Sequence, residues 1–208
     1  MGRKKQDPEN SAKRLQILKT AGKMFMTLGY SEVSMDALAQ AVPVSKPTLY
    51  HYFKDKKALF TAVMQSRCQM LFSQLQETLR EGQSVEQTLT SIGHQFLDVI
   101  LEPDAINIYR TALTEAQQFP ELGKLFYESG PKRSTAVLAD YLKKLHAKRV
   151  LYVPDAEMAA IVFLGMLSNR TQMKCLLGLK KRVGPKKKDE IIRYVVKVFL
   201  HGQQPRKS

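Results

Sequence analysis

A chain of 208 residues, 44% of them hydrophobic and 25% charged, has the make-up of a globular protein with room for one or two cores. Its 33 lysines and arginines against 19 acids leave a net charge of +14 and a pI of about 9.8, which suits a polyanionic partner such as nucleic acid but equally an ordinary basic surface. Cys68 and Cys175, far apart, exclude a disulfide framework or paired-cysteine metal site, and the longest apolar run, Ala159 to Leu167, is too short to span a bilayer, so a cytoplasmic setting is expected.

Residues 1–10 are polar and charged and read as a mobile arm, in which Arg3, Lys4 and Lys5 either reach DNA or merely solubilise the terminus. From Ser11 a helical period takes over, with Leu15, Leu18, Ala21, Phe25 and Leu28 on one stripe and Gly29 as the stop. Ser34 is placed to cap the next helix, which carries Leu38 and Val42 on one face and small Ala39 beside them. Because Val42 precedes Pro43 and is pushed out of the α region, that helix is expected to end near Ala41. Ser45 then caps a second short helix, Pro47 falls in its first turn, and Leu49 and Tyr52 continue a buried face. The outward residues, Lys46, Pro47, Thr48, Tyr50 and His51, are cationic, hydrogen-bonding or flat, as a helix entering a major groove requires. This is the layout of a helix-turn-helix.

From about Ser11 to Phe60, and most of all in PTLYHYFKDKKALF at Pro47 to Phe60, the chain resembles the DNA-binding domain of TetR-family transcriptional regulators. The resemblance implies an all-helical homodimer: an N-terminal three-helix bundle with the helix-turn-helix, here residues 11–57, and a larger C-terminal helical ligand-binding and dimerisation domain, residues 58–208. By position, Thr48 and Tyr50 match phosphate contacts of the family, Lys46 and Pro47 match base-reading positions, and Lys56 matches a lysine at the start of the following helix. Ser34 adds a hydroxyl and free N–H groups that could hold a phosphate. Pro43 stands where the family usually has glycine, and since proline cannot reach φ > 0 the turn must be built differently here.

Asp55 is placed to cap a long helix to about Arg80, carrying Leu59, Val63, Met70 and Leu71, which by resemblance links head to body. Ser84 and Gln87 form a capping box ahead of a helix with Ile92, Phe96 and Ile100, broken by Pro103. Asp104 is read as the cap of the next helix, with Ile108, Ala112 and Leu113. A short helix spans about Leu122 to Tyr127, and after Gly130-Pro131 another carries Val137, Leu138, Tyr141, Leu142 and Leu145. The stretch Tyr109 to Pro131, containing EAQQFPELGKLFYESGP, resembles the body domain of an AefR-like branch of the family. Asp155 opens a long helix with Ala160, Phe163, Leu164, Gly165 and Leu167; the last helix, about Lys186 to His201, carries Ile191, Ile192, Val195, Val198 and Phe199. These two either close the monomer's core or, as the resemblance implies, make the homodimer interface. The cationic stretch Leu179 to Lys188 between them is a solvated loop or a second nucleic-acid contact.

Ligand-contact candidates on the body helices are His94, Phe96, Tyr109, Arg110, Phe126, Met166, Asn169 and Met173, apolar or aromatic side chains with a few polar groups, although each also suits core or surface, and Arg110 could instead pair with Glu115. The nine methionines would suit an adaptable pocket or ordinary packing. No P-loop, dinucleotide glycine motif, HExxH, nucleophile elbow or paired Cys/His spacing is present, so an enzyme is disfavoured and neither cofactor nor metal is expected. The expected function is a ligand-released repressor that binds a palindromic double-stranded DNA operator as a dimer; the alternative is a non-specific basic nucleic-acid-binding protein, which the long patterned body argues against.

Overall fold

The computed structural model describes residues 8–66 and 83–202, with side chains from Ser11 onward, and all regular structure among them is helical. The expectations for Arg3, Lys4, Lys5, Met70, Leu71 and the helix end near Arg80 lie outside the described residues. The chain forms two compact units: Met1–Arg67 with Arg110–Leu125, and Cys68–Tyr109 with Phe126–Ser208. The smaller unit therefore reaches beyond residue 57 and takes in a stretch from the middle of the sequence.

In the smaller unit, α1 (Pro8–Leu28) opens at Pro8, three residues before the expected Ser11, since proline is well tolerated in a first turn. Its buried face is Ile17, Leu18, Ala21 and Phe25; Leu15 and Leu28, expected in the stripe, are 57% and 53% exposed. Gly29 stops the helix at φ 89°, its N–H donating to the Phe25 carbonyl at 3.1 Å, a conformation that a side chain would strain. Next come α2 (Met35–Ala41) and α3 (Lys46–Tyr52), followed by α4, helical over residues 56–66. Asp55 caps α4 by accepting from the Ala58 N–H at 2.7 Å. Leu38, Val42, Leu49, Phe53, Leu59, Phe60 and Val63 are buried with the α1 face, whereas Tyr52, expected to continue the α3 face, is only half-buried and Phe53 takes that place.

The larger unit contains α5 (Val85–Ile100), the first part of α6 (Pro103–Glu115), most of the last turn of α7 (Pro120–Ser129), α8 (Pro131–Ala147), α9 (Ala156–Leu176) and α10 (Pro185–Gly202). The capping box forms as expected, with Ser84 Oγ accepting from the Gln87 N–H and Gln87 Oε1 from the Ser84 N–H. Asp104, expected as a cap, instead lies inside the first turn of α6, because Pro103 is itself helical. One core joins the faces of α5, α8, α9 and α10, with Phe163 and Phe199 in edge-on contact at 5.0 Å. Leu113 and Val198, expected in buried faces, are exposed; Val196 takes the core position on α10. At Gly93 the backbone of α5 lies so close to Ile192 of α10 that a Cβ would stand 3.0 Å from its side chain.

Candidate nucleic-acid interface

The turn before α3 is made without any positive φ. Val42 closes α2 in an extended conformation, and the Val44 N–H reaches back to the Val42 carbonyl at 2.9 Å, enclosing Pro43 in a three-residue turn. An inverse γ-turn needs a central φ near the value that the proline ring fixes, so Pro43 suits this turn where glycine would suit a left-handed one. Two caps then fix the helix starts: Ser34 Oγ accepts from the Ala37 N–H at 3.0 Å, and Ser45 Oγ from the Thr48 N–H at 3.3 Å. Ser45 and Thr48 also share a hydroxyl hydrogen bond of 2.7 Å. Both candidate serines are thus occupied as caps.

Leu49, fully buried, seats α3, and Lys46, Pro47, Tyr50 and His51 point outward, with Thr48 half-buried beside them. Lys46 is not free: its Nζ lies 2.6 Å from Asp36 Oδ1 in the first turn of α2. The hydrogen bond to Asp36, and then its charge, hold the Lys46 ammonium pKa above the usual lysine value. Lys56 is likewise engaged. Its Nζ donates to the Tyr30 carbonyl at 2.9 Å and the Ser31 carbonyl at 3.4 Å, and lies 4.4 Å from the centre of the Tyr30 ring. The lysine that the family resemblance marks for DNA therefore also fastens the loop between α1 and α2, a tie that sequence spacing does not reveal.

The same loop is held from the other side. Glu115, at the end of α6 and buried, accepts from the Ser31 N–H at 3.1 Å and from the Ser31 hydroxyl at 2.6 Å. Tyr30 packs edge-on against Phe119 at 5.3 Å and Phe60 at 5.1 Å, and Lys57 pairs with Glu121 at 3.4 Å. Burial, and then the carboxylates of Asp55, Glu121 and Glu115, hold the Tyr30 phenol above its ordinary pKa.

A family model for the N-terminal domain of bacterial regulatory proteins of the tetR family matches residues 17–63, and one for the C-terminal domain of AefR-like transcriptional repressors matches residues 87–202. The chain belongs to the TetR family. It is similar to the HTH-type transcriptional regulator EthR of Mycolicibacterium smegmatis, 21% identical over 98% of this chain and 93% of that protein. With the HTH-type transcriptional activator FasR of the same organism it shares 35% identity, over 42% of this chain and 40% of FasR. Among solved structures, a TetR-family regulator from Mesorhizobium loti superposes with a TM-score of 0.85 at 24% identity, covering 96% of this chain and all of that one. The flavonoid-responsive regulator FrrA does so with a TM-score of 0.78 at 32% identity, covering 95% and 100%. As a TetR-family protein the chain is a DNA-binding transcriptional regulator, with the head-and-body fold expected from its sequence.

Among the ligand candidates in the larger unit, Phe96 is a core residue, and His94 faces α10 with Nε2 3.6 Å from Asp189 Oδ1. Tyr109 and Phe126 stack at 4.8 Å. Met166, Asn169 and Met173 line an open depression of about 670 Å³ with Tyr194, on the outer surface of α9 and α10. Met166, Asn169 and Met173 thus share one surface depression, which helical period alone does not reveal on an apolar helix. Arg110 is exposed on α6, and the carboxylate of Glu115 is bonded to Ser31. Among the described residues no group of three His, Cys, Asp or Glu is placed to hold a metal, and no helix is long and apolar enough to cross a membrane.

Proposed function

We propose that this protein is a dimeric repressor that binds a palindromic operator with the α3 helix of each subunit and is released by a small apolar or aromatic effector bound in the C-terminal domain. The observation that carries the DNA part is the outward row Lys46, Pro47, Tyr50 and His51 on a helix seated by Leu49 and capped by Ser45. Lys46 and Pro47 read bases, while Thr48 and Tyr50 hold phosphates with help from the caps at Ser34 and Ser45. Dimerisation through α9 and α10 is supported by their exposed apolar residues, Met158, Ile161, Val162, Met166, Tyr194 and Val198, which form a patch of the kind that another subunit covers. The likeness to FrrA supports flavonoids as the first effectors to try, and the stacked Tyr109 and Phe126 are the aromatic pair such a ring system would join. The likeness of residues 87–202 to the C-terminal domain of AefR-like repressors supports repression, while FasR is named an activator.

The test is selection of genomic fragments by the purified protein at physiological salt. Recovery of a few fragments sharing a palindrome is expected, with release on addition of a flavonoid such as naringenin. Fragments without a common motif would replace the operator reading with general affinity for polyanions.

A further inference from the structure

Within the larger unit, the fold brings two residues of the cationic run Leu179 to Lys188 to the C-terminal end of α9. Gly178 turns the chain with φ 74°, and the Lys180 N–H donates back to the Lys174 carbonyl at 3.2 Å, which sets Lys180 beside the helix end. The α10 helix then starts at Pro185 and carries Lys187 in its first turn. Lys180 and Lys187 thereby meet Arg170 and Lys174 around one recess of about 320 Å³, a grouping that no spacing within a single helix shows. Its floor is apolar, Leu167 and Ile191, with Thr171 beside them, and among the described residues no acid lines it. Lys187 pairs with Glu190 at 2.7 Å, but Arg170, Lys174 and Lys180 have no ion pair with a described residue. Lys188, the next residue along, is matched by Asp98 at 2.7 Å, so the shortage of counter-charge belongs to the recess and not to this whole end of the unit.

We infer that this recess binds a small soluble anion of the phosphate class carrying two or more negative charges, such as the diphosphate group of a metabolite. Like charges gathered around a concave apolar floor repel one another, and the low-dielectric walls focus their field on whatever enters. A multivalent anion relieves that repulsion. The first turn of α10 contains no acid, so the positive end of its dipole adds to the potential where Lys187 stands. Lysines meet phosphate as point charges, Arg170 offers a forked pair of donors, and the Thr171 hydroxyl supplies a neutral one. The recess has room for such a group, whereas a duplex would track outward cations such as Lys181 and Arg182, which are exposed and do not line it. The site shares no residue with α3 or with the Tyr109–Phe126 stack, and of its lining only Met166 also belongs to the apolar patch proposed for dimerisation.

The experiment is isothermal titration of full-length protein with inorganic pyrophosphate at constant ionic strength. It includes Lys174→Gln and Lys180→Gln in the recess and, as controls that remove the same charge outside it, Lys181→Gln and Arg182→Gln. All four side chains are exposed, so each variant keeps its fold, which circular dichroism checks. One pyrophosphate per chain is expected, bound about tenfold more weakly by each of Lys174→Gln and Lys180→Gln and within about twofold of wild type by the controls. Absence of saturable binding to the wild type would overturn the site. So would equal losses in all four variants, which would leave only the general attraction of a chain with a net charge of +14. Ready displacement of pyrophosphate by an unrelated duplex, with the larger losses in the controls, would overturn it in favour of a nucleic-acid surface.

Discussion

Lys46, the first residue of α3, holds Asp36 of the preceding helix at 2.6 Å, so the ammonium proposed to meet DNA already faces a carboxylate within its own motif. Both side chains are more than half exposed, so the pair adds little to stability and is screened by salt. Its effect falls on binding. Asp36 lowers the positive potential that any phosphate meets, and with it the sequence-independent part of the affinity. Asp36→Asn is therefore expected to tighten binding to unrelated duplexes several-fold at low salt and to steepen the salt dependence by about one unit. Fluorescence anisotropy across a salt series with two unrelated duplexes checks this; an unchanged slope would mean that Asp36 stays clear of the DNA field.

Ser45 and Thr48 act together, because the Ser45 hydroxyl both caps the Thr48 N–H and bonds the Thr48 side chain. Ser45→Ala is expected to cost about 1 kcal/mol of stability through the lost cap. Thr48→Ala and Tyr50→Phe should each weaken binding to every DNA sequence by about 1 to 2 kcal/mol, the scale of one hydrogen bond to a phosphate. Since Ser45 orients the Thr48 hydroxyl, the binding losses of Ser45→Ala and Thr48→Ala should not add. A double-mutant cycle on duplex affinity measures the shortfall, and full additivity would separate the two residues.

Much of this head was legible because its signals are local. Pro43 ends α2 at Ala41, the hydroxyls of Ser34 and Ser45 start the two short helices, and Asp55 starts α4, all within a few residues of the cause. The helix faces were less legible. Ile17 and Leu18 are neighbours and both buried, so a stripe drawn through Leu15 and Leu28 lands on the solvent side. On α9 apolar residues surround the helix, and the period could not place Met166 and Met173 on the outer face. Lys46 with Asp36, Lys56 with Tyr30 and Glu115 with Ser31 are pairs set by how helices and loops fold back on one another. No spacing rule within a single element reports such pairs.

The crossing of α5 and α10 allows a sharper test of packing. Replacing Gly93 by alanine brings a gain of about 1 kcal/mol in helix propensity, but the new methyl would stand 3.0 Å from Ile192 Cγ2 and 3.2 Å from its Cγ1. Ile192 is 1% exposed and β-branched, so it has neither space nor an easy rotamer to retreat into. Overpacking of this kind costs about 1 to 3 kcal/mol and outweighs the propensity gain. Gly93→Ala is expected to lower the unfolding free energy by about 1 kcal/mol, read by urea denaturation. Gly165, with nothing within 4 Å, is the control: alanine there should leave the free energy of a single subunit unchanged or slightly raised.

In the proposed dimer the outer face of α9 and α10 is what holds the two heads together. Ile161 and Val198 are 47% and 44% exposed, so aspartate at either leaves the subunit's own core intact. In a dimer built on this face the same aspartate would be buried without a partner charge, a loss of several kcal/mol repeated on both sides of the two-fold axis. Ile161→Asp and Val198→Asp are expected to keep helical circular dichroism while light scattering falls to the 23.6 kDa of one chain. Operator affinity should fall by orders of magnitude, because the second half-site would no longer be bound at the high effective concentration that a linked head provides. A variant that scatters as a dimer and binds the operator as tightly as wild type would move the interface to another face of the body.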